Sequence, residues 1–427
     1  MKKTVAITLL LIILFSDIGG YAIDNLDCDA SILVDAETGK TLFELNAQKI
    51  KYPASLTKLM TAVVAIDMMK LDDLLVVDDL TPFTIDGSHI ALEPGEKISF
   101  EHMINALLIA SANDVAEVIA INCSGSVEEF VEKMNEKAKE IGMVSTNFMN
   151  PHGLHDDNHY STAEDMARLA VYAYQKDLIR EIIQKRNYTI PPTNIKTGER
   201  YLNNSNRLLS GAGYGNQILI DGFYVDIKYD GATGMKTGYT PEAKSTFIGS
   251  AERGDISLIS VVMDGYVTNV YSDTVKLLNY GFNNFYKINL INKNTHYINT
   301  KVKNALIDEI PLITKEGLTV LVGNGMKEQI VEDFSLYPLD LPIEKDTVVG
   351  HIAYKIDGVI LGQVELITPI EVEAIEENSA SNFEMGSTIK TVLLVLSILI
   401  LLIFLLRIYN MFRLYRHRKN KKKRTGI

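Results

Sequence analysis

The stretch Pro53-Ala-Ser-Leu-Thr-Lys-Leu-Met-Thr61 decides how the rest of the sequence is interpreted. Apolar residues at helical spacing continue from it to Met68, so the pattern predicts a helix that begins after the proline. Ser55 and Lys58 are three residues apart and therefore lie on one face of that helix. A serine hydroxyl is a poor nucleophile until a base takes its proton, and a lysine kept neutral by burial is such a base. The stretch predicts Ser55 as a nucleophile and Lys58 as its proton acceptor, beside the positive end of a helix.

Strands and helices are predicted on both sides of this stretch. Upstream, Ser31–Val34 and Thr41–Phe43 flank the turn Ala36-Glu-Thr-Gly39 and predict a strand hairpin. Downstream, the sequence predicts helical segments and then strands: Ile104–Ile121, Ser126–Ile141 and Ala163–Gln175, followed by Met235–Tyr239, Ser245–Ala251 and Ile256–Met263. Helices in the middle with strands at both ends predict an α+β domain, in which an antiparallel sheet is covered by helices.

Two further triplets suit a peptide-binding cleft, Ser111-Ala-Asn113 and Lys236-Thr-Gly238. The first ends an apolar helical run, where a turn between buried helices projects its serine and asparagine into a cleft. The second lies in a glycine-rich approach to paired apolar strands, and a strand edge there can bind an extended peptide by main-chain pairing. Its ammonium, next to the Thr237 hydroxyl, is suited to a carboxylate.

Each of the three elements occurs twice, so a triplet alone is weak evidence. The repeats are Ser387–Lys390, Ser145-Thr-Asn147 and Lys196-Thr-Gly198. A solvated polar cap beside an apolar run explains the first repeat. Lys196 follows Pro191-Pro192 in a polar stretch that is typical of a loop. Context therefore selects Ser55, Ser111 and Lys236.

The order of these elements matches the signature of penicillin-binding proteins and class A β-lactamases. The chain resembles the low-molecular-weight penicillin-binding proteins, which are D-Ala-D-Ala carboxypeptidases, over about Ala30 to Phe282 and more loosely beyond. The resemblance also rests on Asn150-Pro-His-Gly-Leu154, Ser161-Thr-Ala-Glu-Asp165 and Lys236-Thr-Gly-Tyr-Thr240. The sequence departs from the family at Lys244, where glycine usually follows Glu-Ala. It departs again at its C-terminal run, which is long enough to span where many relatives carry an amphipathic anchor.

The resemblance implies three catalytic residues, Ser55, Lys58 and Ser111. Ser55 would attack the carbonyl of the penultimate D-alanine of a stem peptide, and Lys58 would accept its proton. Ser111 would relay a proton to the leaving D-alanine. Water would then hydrolyse the acyl-enzyme.

The substrate-binding set that the resemblance implies comprises Asn113, Lys236, Thr237, Gly238, Tyr239 and Arg207. Asn113 would hold the peptide amide, while Lys236 and Thr237 would grip the terminal carboxylate. The backbone N–H groups of Ser55 and Tyr239 would form an oxyanion hole. Arg207 would either help to bind the carboxylate or be structural, and the sequence leaves both open.

The predicted function is a serine-type D-Ala-D-Ala carboxypeptidase that trims peptidoglycan stem pentapeptides and is acylated by β-lactam antibiotics. A DD-endopeptidase or a β-lactamase on the same fold is an alternative, although a β-lactamase needs an efficient deacylating base. A non-catalytic wall-binding protein is the alternative from another class. No cofactor or metal is expected, because the sequence contains neither C-x-x-C nor H-E-x-x-H.

The two ends of the chain predict export and membrane anchoring. A basic start and the apolar run Val5–Phe15 predict a signal peptide, with an uncleaved anchor as the alternative. The apolar run Thr391–Leu406, which Ile408–Phe412 can extend, is then long enough to predict a spanning helix rather than an interfacial one. Nine Lys or Arg and no acid occur from Arg407 to Arg424, so the tail is expected in the cytoplasm and the body outside.

The expected domain order is a signal peptide (1–22), a serine DD-peptidase domain (23–287), a β-rich domain (288–370), a linker (371–388), a transmembrane helix (389–409) and a basic cytoplasmic tail (410–427). The net charge is −12 although the tail is basic, so the body is strongly acidic and nucleic acid is not an expected partner. The two cysteines, Cys28 and Cys123, are too few for a fold that depends on disulfides.

Overall fold

The computed structural model describes residue 23, residues 25–375 and residues 385–422, without the side chains of 385–388 and 419–422. The predicted signal peptide lies outside the described residues, as do residues 376–384 of the predicted linker and the last five residues of the tail. The chain divides into two compact units. The first comprises Met1–Asn292, Gly317–Asp333 and Ala353–Gln363, and the second Lys293–Glu316, Phe334–Ile352 and Val364–Ile427.

The strands of the described chain are β1 (Ala30–Asp35), β2 (Thr41–Leu45), β3 (Leu74–Val76), β4 (Lys97–Ser99), β5 (Asn187–Ile190), β6 (Arg200–Asn203), β7 (Gln217–Ile220), β8 (Phe223–Asp226), β9 (Ala232–Thr240), β10 (Lys244–Arg253), β11 (Ile256–Gly265), β12 (Phe285–Ile291), β13 (His296–Lys301), β14 (Glu309–Thr314), β15 (Leu318–Gly323), β16 (Val331–Leu336), β17 (Val348–Ile356) and β18 (Val359–Ile367). The α-helices are α1 (Lys58–Met68), α2 (Thr81–Thr84), α3 (Phe100–Ile109), α4 (Asn113–Ser124), α5 (Val127–Glu140), α6 (Ala163–Tyr174), α7 (Asp177–Ile183), α8 (Asn269–Asn284) and α9 (Met385–Lys422). Short 3-10 turns cover Ala54–Thr57, Arg207–Leu209 and Lys327–Gln329.

An antiparallel five-stranded sheet in the order β2-β1-β11-β10-β9 forms the centre of the first unit. Successive side chains of a strand point to opposite faces. Ile32 and Val34 of β1 accordingly join a core with α1 and α3–α7, while Leu33 joins a second core with α8. The sheet is therefore covered by helices on both faces, which confirms the predicted α+β class and explains the uninterrupted apolar run in β1.

The structure differs from the sequence prediction in three ways that bear on the central sheet and the site. The run Ile104–Ile121 forms two helices, because the chain breaks between Ile109 and Asn113. Ser55 lies in the 3-10 turn Ala54–Thr57, and the α-helix itself begins at Lys58. The sequence interpretation did not include α8, which covers the second face of the sheet.

A second five-stranded sheet has the order β13-β14-β18-β17-β16. Within the second unit, the residues Ile310, Leu312, Val349, Ile352, Val364 and Leu366 are buried. Their strands confirm the β-rich region that was predicted after the catalytic domain.

The helix α9 contains the predicted membrane segment. Ile389–Arg418 is long and apolar enough to cross a membrane: an 18-residue window within it has a mean hydropathy of 3.0, and that window is not buried. It is a candidate membrane anchor.

Candidate active site

Ser55 occupies a tight turn that packs against strand β9. The preceding residue, Ala54, has a positive φ of 50°, a conformation that costs energy in a residue with a Cβ. A Cβ on Gly238 of β9 would lie 3.0 Å from the Ser55 nitrogen and 2.4 Å from Thr246 Oγ1. Only glycine at position 238 therefore allows the strand to approach the turn this closely.

The Lys58 amine lies at the floor of the site and is fully buried. Its Nζ is 3.0 Å from Ser55 Oγ, 2.5 Å from Asn113 Oδ1 and 2.6 Å from the carbonyl oxygen of His152. Burial, reinforced by the nearby Lys236, holds the pKa of Lys58 well below its ordinary value. A neutral amine has two N–H groups and one lone pair, so donation to Asn113 and His152 leaves the lone pair for the Ser55 hydroxyl.

Ser111 lies in the break between α3 and α4, with a positive φ of 59°. The buried Lys236 amine donates to Ser111 Oγ at 2.7 Å and to the Thr237 carbonyl oxygen at 2.9 Å. Burial lowers the pKa of Lys236 to about 7. The structure thus places a second lysine and serine pair next to the first.

These groups open into one cleft of about 560 Å³ in the first unit. Seven of the nine predicted site residues line it: Ser55, Ser111, Asn113, Arg207, Thr237, Gly238 and Tyr239. The remaining two, Lys58 and Lys236, are buried and contact the lining serines. Residues far apart in the sequence therefore come together as one candidate site.

Arg207 lines the cleft but is held by its own loop. Its Nε donates to Asn216 Oδ1 at 3.0 Å and its Nη2 to the Gly215 carbonyl at 2.5 Å. The guanidinium also lies over the Tyr271 ring, 5.6 Å from its centroid. These contacts give Arg207 a structural role and leave its contribution to carboxylate binding a proposal.

Several residues of the cleft were absent from the sequence interpretation. Ser205 Oγ lies 2.6 Å from Thr237 Oγ1, and the Tyr271 hydroxyl donates to the Ser205 carbonyl at 3.4 Å. His152 belongs to the motif Asn150–Leu154, and its backbone oxygen accepts from Lys58. A contact made by a backbone oxygen cannot be predicted from the residue type. Ser205, by contrast, lies two positions before the predicted site residue Arg207, and its place in the cleft could have been predicted from that proximity.

The repeated triplets lie elsewhere. Lys196 sits between β5 and β6, where its Nζ is 3.0 Å from Glu93 Oε1. Ser145 and Thr146 donate to the Asp165 carboxylate, at 2.8 and 2.7 Å, and so stabilise a loop. Ser387–Lys390 belongs to α9. None of these residues lines the cleft that holds Ser55.

Comparisons with known proteins agree with this fold and with the family that the sequence motifs predicted. The sequence pattern of the D-alanyl-D-alanine carboxypeptidase family matches residues 20–266, and that of the penicillin-binding protein 5 C-terminal domain matches residues 285–374. D-alanyl-D-alanine carboxypeptidase DacF of Bacillus subtilis is 32% identical, covering 79% of this chain and 84% of its own length. D-alanyl-D-alanine carboxypeptidase DacC of Escherichia coli is 31% identical, and the match covers 82% of this chain and 85% of DacC. The crystal structure of penicillin binding protein 5 from Haemophilus influenzae superposes with a TM-score of 0.68 at 26% identity, covering 83% of this chain and all of that one.

The fold and the comparisons define a serine hydrolase of the penicillin-binding class. The chain belongs to the D-alanyl-D-alanine carboxypeptidase family, as the sequence motifs predicted. The β-lactamase, endopeptidase and wall-binding alternatives are not favoured by any of these relatives.

Proposed function

We propose that this protein removes the terminal D-alanine from peptidoglycan stem pentapeptides through an acyl-enzyme on Ser55. The observation that carries the proposal is the fully buried Lys58 amine, whose Nζ lies 3.0 Å from Ser55 Oγ and also contacts Asn113 Oδ1 and the His152 carbonyl oxygen. Burial lowers the pKa of this amine, which favours its neutral form, and the contacts with Asn113 and His152 direct its lone pair towards Ser55. A non-catalytic wall-binding protein would have no need of a buried amine next to an accessible hydroxyl.

In the acylation step, Lys58 takes the proton of Ser55 as its oxygen attacks the carbonyl carbon of the penultimate D-alanine. The oxyanion accepts hydrogen bonds from the backbone N–H groups of Ser55 and Tyr239, which are fixed before the reaction begins. As the C–N bond breaks, Ser111, held by Lys236, relays a proton to the departing D-alanine nitrogen and takes one back from the Lys58 ammonium. Water then attacks the ester and regenerates the Ser55 hydroxyl.

The edge of β9 orients the substrate. β9 ends the sheet order, so its free side is available to an extended peptide, which pairs with it as an additional strand. Lys236, Thr237 and Ser205 meet in this part of the site and bind the terminal carboxylate. Asn113 and Arg207 line the same cleft and complete the binding set. β-Lactam antibiotics occupy the same positions and acylate Ser55.

The proposed location follows from the two ends of the chain. Residues 1–22 direct export, and the segment 389–409 of α9 crosses the membrane once, with the basic tail (410–427) inside. The DD-peptidase domain (23–287) and the β-rich domain (288–370) then face the cell wall, and the linker (371–388) joins them to the anchor.

Replacement of the nucleophile tests the proposal. Ser55→Ala should abolish covalent labelling by a fluorescent penicillin and D-alanine release from pentapeptide, because no other described serine faces Lys58. Ser145→Ala is the matched control, since the same residue type lies in a repeated motif away from the cleft. Persistent labelling of the Ser55→Ala protein in a denaturing gel would refute the nucleophile assignment. Rapid loss of label from the wild type would indicate a β-lactamase instead.

A further inference from the structure

A buried histidine outside the proposed catalytic set contacts the turn that carries Ser55. His159 is almost fully buried, and its Nε2 lies 2.8 Å from Thr57 Oγ1. The Met149 backbone N–H donates to its Nδ1 at 3.1 Å. The Thr57 hydroxyl donates in turn to the Ala54 carbonyl oxygen at 2.8 Å. Four groups thus form one continuous chain of hydrogen bonds that ends at the residue before the nucleophile.

The direction of this chain is set by its two ends. A backbone N–H can only donate, so Nδ1 of His159 is an acceptor and the ring proton is on Nε2. A carbonyl oxygen can only accept, so Thr57 donates to Ala54 and accepts from His159. Burial lowers the pKa of His159 to about 3, so the ring stays neutral and keeps this tautomer at any working pH. Hydrogen bonds arranged head to tail in this way strengthen one another.

The far end of the chain is the peptide group between Ala54 and Ser55. Its carbonyl accepts from Thr57, and its N–H is the Ser55 nitrogen that faces Gly238. Ala54 holds a positive φ, which an alanine adopts only when its surroundings impose it. Gly153 restrains the same carbonyl, because a Cβ there would lie 1.9 Å from the Ala54 oxygen. Because the peptide group is planar, contacts that fix the direction of its carbonyl also fix the direction of its N–H.

We infer that His159 is a positioning residue that sets the Ser55 N–H as an oxyanion donor, acting through Thr57 and the strained Ala54 peptide. The inference rests on the proposed Ser55 acyl-enzyme. His159 neither touches the substrate nor exchanges a proton in the reaction. Loss of His159 should slow acylation and shift the stretching frequency of the acyl-enzyme carbonyl. It should have little effect on carboxylate binding, because Lys236 and Thr237 belong to β9.

The test uses full-length protein in detergent micelles, with benzylpenicillin and a D-Ala-D-Ala pentapeptide as probes. Thr57→Val removes the relaying hydroxyl at nearly constant shape, Thr57→Ser retains it, and His159→Phe removes the donor. Loss of a whole oxyanion donor slows catalysis by roughly 10²–10³-fold, so a misdirected donor should slow acylation by about tenfold or more. Thr57→Ser should recover to within about threefold of wild type, and KM for the pentapeptide should change less than about twofold in every variant. Rates are divided by the fraction of sites that penicillin titrates, which removes the contribution of misfolded protein.

Two readouts separate positioning from general destabilisation. The infrared stretch of the acyl-enzyme carbonyl, with ¹³C in the penicillin, should move to higher frequency in Thr57→Val and His159→Phe and return in Thr57→Ser. The double variant Thr57→Val/His159→Phe should be no slower than the slower single variant, because both changes break one chain. His102→Phe is the control, since that histidine contacts Tyr188 and does not line the cleft. It should acylate within about twofold of wild type.

Wild-type acylation by Thr57→Val, an unmoved carbonyl stretch, or additive rate losses would each overturn the inference alone. Absence of any acyl-enzyme in the wild-type protein would overturn the proposed function and this inference with it.

Discussion

Lys58 and Lys236 are both buried at the cleft, and the proposed reaction needs them in opposite protonation states. Lys58 has to be neutral to accept a proton, so kcat/KM should fall as the pH drops through its lowered pKa. Lys236 binds a carboxylate best as an ammonium, and its pKa of about 7 in the free protein means that this charge is lost as the pH rises. The value of kcat/KM should therefore decrease both below and above an optimum pH.

A substrate without a terminal carboxylate tests whether the decrease of kcat/KM at high pH is due to Lys236. We expect kcat/KM for a D-Ala-D-Ala peptide to decrease above about pH 7, whereas an analogue with an amidated terminus should lack this decline. Lys236→Ala should also shift the acid limb to higher pH, because removing a neighbouring positive charge raises the pKa of Lys58. Steady-state kinetics across pH measure both effects. An identical alkaline limb for the two substrates would remove Lys236 from carboxylate binding.

The two Lys-Thr-Gly triplets offer a matched pair of substitutions. Lys236→Ala should reduce kcat/KM for the peptide by about tenfold or more, from the roughly 1.5–3 kcal/mol of a charge-assisted hydrogen bond. Lys196→Ala should stay within about twofold of wild type, because its ion pair with Glu93 is partly exposed and away from the cleft. Pentapeptide turnover measures both. The reverse pattern would contradict the placement of the substrate along β9.

At the scale of elements, the turn before α1 depends on the loop that contains His152 and Gly153. The Lys58 amine donates to the His152 carbonyl, and the Thr61 hydroxyl donates to the Pro151 carbonyl at 2.5 Å. The loop and the helix are therefore joined at successive carbonyls. The backbone of this loop therefore forms part of the candidate site.

Gly153→Ala should disrupt this contact, because the added Cβ would lie 1.9 Å from the Ala54 oxygen. Gly142→Ala is the matched control: Gly142 has a similar positive φ, 80° against 86°, and no atom lies within 4 Å of the position that its added methyl group would take. Both substitutions cost about 1–2 kcal/mol from the left-handed backbone. Only Gly153→Ala should also lose penicillin acylation, by about tenfold or more if the oxyanion donor is displaced. Thermal unfolding and acylation rates measure the two effects, and equal acylation by both variants would argue against the contact.

For the whole molecule, we expect catalysis to be independent of the candidate membrane anchor. α9 contributes no residue to the cleft around Ser55, and its apolar residues are exposed. A chain that ends before Thr388 should therefore partition into the aqueous phase and turn over pentapeptide within about twofold of the full-length protein. Fractionation and D-alanine detection test this expectation. A folded but inactive truncation would show that α9 is needed for catalysis.

Much of the catalytic fold was predictable because its signals are local. The hairpin of β1 and β2, the strands β9–β11 and the Ser55–Lys58 pair follow from residue periodicity and from spacings of a few positions, which helices and strands convert directly into shared faces. The sequence context of each triplet then selected one copy of each repeated triplet. The break at Ser111 was not resolved within its apolar run, because burial on most sides of α3 and α4 masks helical periodicity. The helix α8 was missed although its buried residues recur at helical spacing.

The working geometry depends on contacts between residues far apart in the chain. Lys236 reaches Ser111 across 125 positions, Lys58 reaches the His152 carbonyl across 94, and His159 reaches Thr57 across 102. No local pattern encodes these pairs, since they arise only when helices pack on the sheet and bring separate loops together. The same packing excludes water from both lysines, and it is this desolvation that lowers their pKa values. The residue types thus indicated which reaction to expect, whereas burial and long-range contacts determined which atoms are placed to perform it.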